Sequence, residues 1–222
     1  MGGLLRAPEP AGSWEWFFDT GKVEAGFADS LSMLAVVAGV LRRHGLLTVD
    51  AVEICWEHPR GRRRPRDWRI VPVCGAVDSS ECAESLLATR PESDPAYAEM
   101  LLLQAHGSGT WIDAQGGAHT ESDLLLVETM PLDEKVAVDV SVYHDIWAPH
   151  AFNGAPHPEL HAANAPRLAV ALKEIESTLQ TPINPGEVTY FGAVEGYGIV
   201  EPEPDDLDDG WDIDRTDRIV SG

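Results

Sequence analysis

The run Val136-Ala137-Val138-Asp139-Val140-Ser141-Val142-Tyr143-His144-Asp145 alternates apolar and polar side chains almost throughout. Successive side chains of a strand point to opposite faces. Val136, Val138, Val140 and Val142 therefore share one face, and Ala137, Asp139, Ser141, Tyr143 and Asp145 share the other. Such a strand belongs in an antiparallel sheet with one face packed and the other in water. Three further extended runs precede it, at about 97–106, 109–114 and 123–130, separated by Gly107–Gly109, the Gly116-Gly117 pair and Pro131–Glu134. That spacing predicts a meander.

Working outward, 51–57 and 67–74 are β-rich runs joined by the loop His58-Pro59-Arg60-Gly61-Arg62-Arg63-Arg64-Pro65-Arg66, which predicts a hairpin with a basic tip. Residues 14–18 (Trp-Glu-Trp-Phe-Phe) read as another strand, and 188–200 as one more around Tyr190-Phe191. Leu31, Leu34, Val37, Val40 and Leu41 recur at helical spacing, with Asp29 or Ser30 as the cap and Gly45 as the stop. Asp78-Ser79-Ser80-Glu81 opens a short helix to about Thr89. Asn164 caps a third helix with Pro166 in its tolerant first turn, an apolar face from Leu168 to Leu179, and Pro182 beyond its end. The expected class is α+β: an antiparallel sheet meander packed with about three helices, a single domain over 1–200, and a flexible acidic tail over 201–222.

The 222 residues carry 37 acidic against 16 basic side chains, a formal charge of −21. That balance opposes non-specific attraction to nucleic acid or anionic membrane, and no apolar run is long enough to span a bilayer. The opening residues Met1–Pro8 lack the basic and apolar regions of a secretory signal. Cys55, Cys74 and Cys82 are odd in number and have no CxxC spacing, so a cytoplasmic location with buried thiols is expected. Three lysines against thirteen arginines suggest a GC-rich bacterial genome.

Four features carry chemistry. Arg60, Arg62, Arg63, Arg64, Arg66 and Arg69 crowd the hairpin tip, and planar guanidinium forks suit phosphate, sulfate or carboxylate. The bland alternatives are a solvated loop or a loop laid against the acidic tail. The tail fails as a calcium loop: with Gly210 at the turn position, Leu207 occupies a ligand place and Thr216 stands where the closing Glu belongs. Trp211 and Ile213 give it apolar anchors that a purely solvating tail does not need. His144, His150, His157 and His161 lie close together, but Pro156 and Pro158 interrupt the only helically spaced pair, so no metal is expected. Lastly, Asp139 and Tyr143, with Glu128 and His106 from neighbouring strands, are acid–base candidates if register aligns them; an ordinary solvent-facing sheet shows the same alternation. Neither a nucleophile elbow nor a phosphate-binding glycine loop is present, and no cofactor is implied.

These features point first to an acidic binding module that engages a basic or anion-handling protein partner through its sheet face and tail. In size and charge it is similar to toxin-neutralising immunity proteins, a likeness of type only. The alternative is an enzyme of specialised metabolism acting on a small anionic substrate held at the arginine loop. Direct nucleic-acid binding runs against the net charge, and no membrane association is expected.

Overall fold

The computed structural model describes residues 4–57, 66–91 and 98–202, together with the backbone pairing at 220–221. In chain order the elements are β1 (Leu5–Arg6), β2 (Gly12–Asp19), α1 (Phe27–Arg43), β3 (Thr48–Glu57), β4 (Arg66–Pro72), α2 (Ser80–Leu87), β5 (Glu99–Ile112), β6 (Ala118–Ser122), β7 (Leu125–Leu132), β8 (Lys135–Val142), a 3-10 turn (Asp145–Trp147), α3 (Pro158–Leu179), β9 (Asn184–Pro185), β10 (Ala193–Glu195), β11 (Gly198–Val200) and β12 (Val220–Ser221). Eight strands form one antiparallel sheet in the order β4-β3-β5-β7-β8-β2-β9, with β6 alongside β5. The class is α+β, as the alternation in β8 requires.

One face of the sheet holds the core. Val136, Val138, Val140 and Val142 are buried there beside Trp14 and Trp16 of β2, Leu125 and Val127 of β7, Leu103 of β5 and Ile54 of β3. Leu31, Leu34, Val37 and Leu41 of α1 close over them. Each such side chain removed from water contributes roughly 1.5–3 kcal/mol. The buried Thr129 hydroxyl donates to Ser30 O of α1 at 3.1 Å, which satisfies a polar group at this dry junction.

Several local expectations are corrected. The α1 N-cap is Gly26, and Asp29 sits three residues in, its carboxylate accepting from Gly26 N at 3.1 Å. The glycines at 107 and 109 do not end a strand: β5 runs unbroken through them. A Cβ at Gly107 would stand 2.0 Å from Thr48 O, and one at Gly109 2.1 Å from Leu46 O. They are glycines because neighbouring backbone crosses too closely for a side chain. β6 is a strand that the turn residues around it concealed.

The third helix begins at Pro158, and Asn164 lies buried inside it. Asn164 accepts from Ile112 N at 2.8 Å and donates to Ile112 O at 2.7 Å, pairing the last backbone groups of β5. Its job is therefore to tie a helix to a strand end, whereas the sequence suggests a cap. Tyr190 and Phe191 lie in a turn ahead of the β10–β11 hairpin, not in a strand. Cys55 and Cys82 are buried, but Cys74 is exposed. The chain end returns to the domain: Val220 and Ser221 pair with Arg6 and Leu5. No described helix is long and apolar enough to cross a membrane.

Candidate functional site

All three helices lie on the core side. Among the described residues no helix lies over the opposite face of the sheet, and its composition follows from the two-residue period of the strands that build it.

Register sets two rows across this face. In the first, Glu53 of β3 pairs with Gln104 of β5, Gln104 with Glu128 of β7, Glu128 with Asp139 of β8, Asp139 with Glu15 of β2, and Glu15 with Asn184 of β9. Four carboxylates thus stand in a line across adjacent strands spaced about 4.8 Å apart. Two residues along each strand lies the second row. Trp68 of β4 pairs with Cys55, Cys55 with Leu102, Met130 with Ala137 and Ala137 with Phe17. Leu102 and Met130 each adjoin the Leu103–Thr129 pair that joins the two halves. An acidic row and an apolar row therefore run side by side, about 7 Å apart. On this face Phe17 is 39% exposed and Trp68 41%, at the two ends of the apolar row, with Ile70 at 62% and Leu132 at 40% outside it, whereas Cys55 within the row is buried.

The acidic row is electrostatically strained. Burial first, then the charges of Glu128 and Glu15 on either side, push the Asp139 carboxyl up to about 7, against a hydrogen bond from the Ser141 hydroxyl that favours the ionised form. Glu128 is raised by burial and by Glu53, partly offset by His106. Burial also raises the Tyr143 phenol, with the Glu128 and Asp139 charges adding to it and Arg6 opposing. The guanidinium of Arg6 lies 5.3 Å from the Tyr143 ring centre. His106 is held between two carboxylates: its Nε2 is 3.2 Å from Glu53 Oε2 and its Nδ1 3.3 Å from Asp123 Oδ1.

Of the four acid–base candidates, Glu128 and Asp139 are thus directly opposite one another, and His106 is a diagonal neighbour on the next strand. Tyr143 shares their face but lies four residues beyond Asp139, about 13 Å along the strand. Glu15, Glu53 and Asp123 also belong to the site, and the sequence reading missed them. Glu15 between two tryptophans and Glu53 between Val52 and Ile54 carry the same alternation that exposed Asp139.

The arginines do not join this group. Arg66 lies on the open face near Glu57 at 3.5 Å, while Arg69 is on the core side paired with Asp67 at 2.8 Å. From β4 to β8 is four strand spacings, about 19 Å, so neither reaches Asp139. The pocket expected to gather arginines and acids is therefore not formed by these two. Arg60, Arg62, Arg63, Arg64 and Trp211 lie outside the described residues. Cavities of about 570, 350 and 410 Å³ occur elsewhere, beside the start of α1, between α1 and 75–78, and between α3 and β11. None of them is lined by His106, Glu128, Asp139 or Tyr143.

The histidines have separate local duties. His144 is buried, and burial with the nearby Arg6 charge pushes it down to about 4. His157 contacts Ala148 O at 2.9 Å, and His150 faces Glu201 at 2.7 Å. Among the described residues, no three His, Cys, Asp or Glu side chains are grouped to hold a metal ion. No family model, curated protein or solved structure matches the chain.

Proposed function

We propose that the protein is an acidic binding module whose carboxylate-bearing sheet face receives a basic protein partner, as an immunity protein or regulatory subunit would. The observation that carries this is a carboxylate row running beside an apolar row whose two ends, Phe17 and Trp68, are exposed. Exposed aromatic side chains beside carboxylates are the character of an interaction site. A face whose acid–base candidates line none of the three cavities described suits a macromolecule better than a small substrate. Its negative charge selects a cationic partner and repels an anionic one. From β4 to β2 the apolar row spans five strand spacings, about 24 Å, the length of a helix of about 16 residues. An amphipathic helix with leucines on one stripe and lysines on the next fits both rows at once.

A synthetic Leu/Lys amphipathic helix of about that length is the probe. Saturable binding is expected, weakened at least about tenfold by Glu53→Gln with Glu128→Gln and separately by Phe17→Ser. Glu84→Gln, on exposed α2, is the control that leaves it unchanged. If Phe17→Ser changes nothing, or Glu84→Gln matters as much as the row, attraction is only to net charge and the assignment falls. The reading of an enzyme acting on a small anion draws no support from a row of carboxylates, which repels an anion.

A further inference from the structure

Strand β4 ends the sheet. β3 occupies one of its edges, and no described residue pairs with the other. Unpaired backbone N–H and C=O groups on an edge are a template for another strand. Trp68 and Ile70, two of the most exposed large apolar side chains described, are both on this strand.

The sequence of β4 is self-complementary when read against itself in the opposite direction. With Arg66-Asp67-Trp68-Arg69-Ile70 centred on Trp68, Trp68 meets its own copy, Asp67 meets Arg69 twice by symmetry, and the stem of Arg66 meets Ile70. Directly opposed residues share a face, so the Asp67–Arg69 pairs form on the core side and the Trp68 pair on the open side. Moving the centre one residue in either direction places Asp67 on Asp67 or Arg69 on Arg69. Of these neighbouring registers, only the one centred on Trp68 joins unlike charges.

We propose that the chain associates with a second copy of itself through this edge, antiparallel about a twofold axis at Trp68. The interface is isologous and closes after two copies. Two eight-stranded sheets become one, with both carboxylate-bearing faces on the same side. The apolar rows then meet end to end, because each terminates at Trp68, and run unbroken from Phe17 of one copy to Phe17 of the other. The two acidic rows flank that stripe on opposite sides. The net charge of −21 on each copy opposes approach. At physiological ionic strength the screening length is about 8 Å, which limits that repulsion to groups near the junction. The charged groups nearest it, Arg66, Asp67 and Arg69, carry a net positive charge on each copy.

Sedimentation and light scattering of the full chain, up to ~100 μM, test this. The expected mass is twice the 24.1 kDa of one chain. Asp67→Arg and Arg69→Asp alone should each weaken association about tenfold, and the double exchange should restore it to within about threefold, since it recreates the same pairs reversed. Both side chains reach solvent, and unfolding curves of each variant check that the fold is kept. A monomer throughout that range overturns the proposal, as do single variants that dimerise like the parent or a double variant no better than either. These substitutions leave Glu53, Glu128 and Phe17 untouched, so the helix-probe assay reports on the binding reading separately.

Discussion

Asp139→Asn separates the electrostatic strain of the acidic row from the packing of the strand that carries it. In the folded chain the Asp139 carboxyl titrates near 7, against an ordinary value of 3.8. At 1.36 kcal/mol for each pH unit, that rise corresponds to at most about 4 kcal/mol of lost stability once the group is ionised in both states. Asp139 is only partly buried, and water at the sheet face screens part of this, leaving ~2 kcal/mol as the working figure. Below pH 3.8 both states are protonated and the term is absent. Between 3.8 and about 7 the folded chain holds a proton that the unfolded chain has released, so stability falls with rising pH across that window.

Asparagine keeps an acceptor for the Ser141 hydroxyl and removes the charge. The variant should match the parent near pH 4 and exceed it by ~2 kcal/mol at pH 8, a rise in Tm of about 4–8 °C for a chain of this size. Urea unfolding of both proteins at pH 4, 5, 6, 7 and 8 measures the difference directly. A gain that does not vary with pH, or one that is largest at pH 4, would refute the assignment of the strain to the Asp139 charge.

Three further outcomes test the packing. Asn164→Ala leaves both backbone groups of Ile112 without their side-chain partner and should cost about 2–4 kcal/mol by urea unfolding, more than an ordinary surface change. In α1, Gly39→Ala meets no atom nearer than Arg43 Nη1 at 4.0 Å and should stabilise by about 0.5–1 kcal/mol. Gly107→Ala, where Thr48 O lies 2.0 Å from the added carbon, should cost at least about 3 kcal/mol in the same melts.

The sheet was legible because its strands obey the two-residue period: the valines of β8 and the tryptophans of β2 declare their faces without tertiary information. What stayed hidden depends on partners distant in sequence. Gly107 and Gly109 carry the composition of a turn, and only the backbone crossing at Thr48 and Leu46 explains glycine inside a strand. Asn164 carries the composition of a cap, and only the strand end at Ile112 explains a buried amide in a helix. The candidate site divides in the same way. Asp139, Glu128 and His106 could each be placed on a polar face, but the line from Glu53 to Glu15 is a property of inter-strand register. No single strand contains it.

The acidic row runs against the interests of the fold. Burial first, and then the carboxylates of Glu128 and Glu15 on either side, make an ionised Asp139 costly to the sheet. Gln104 sits in the same row between Glu53 and Glu128, so an uncharged amide is compatible with this position on the face. A sheet selected for stability alone would alternate such amides or opposite charges along the row, and it would not leave Phe17, Trp68 and Ile70 in water beside it. Both departures are relieved by the same event. A cationic, partly apolar surface laid across the strands neutralises the carboxylates and removes the aromatics from solvent together. On the proposed reading, the local cost and the exposed apolar side chains share an explanation in binding.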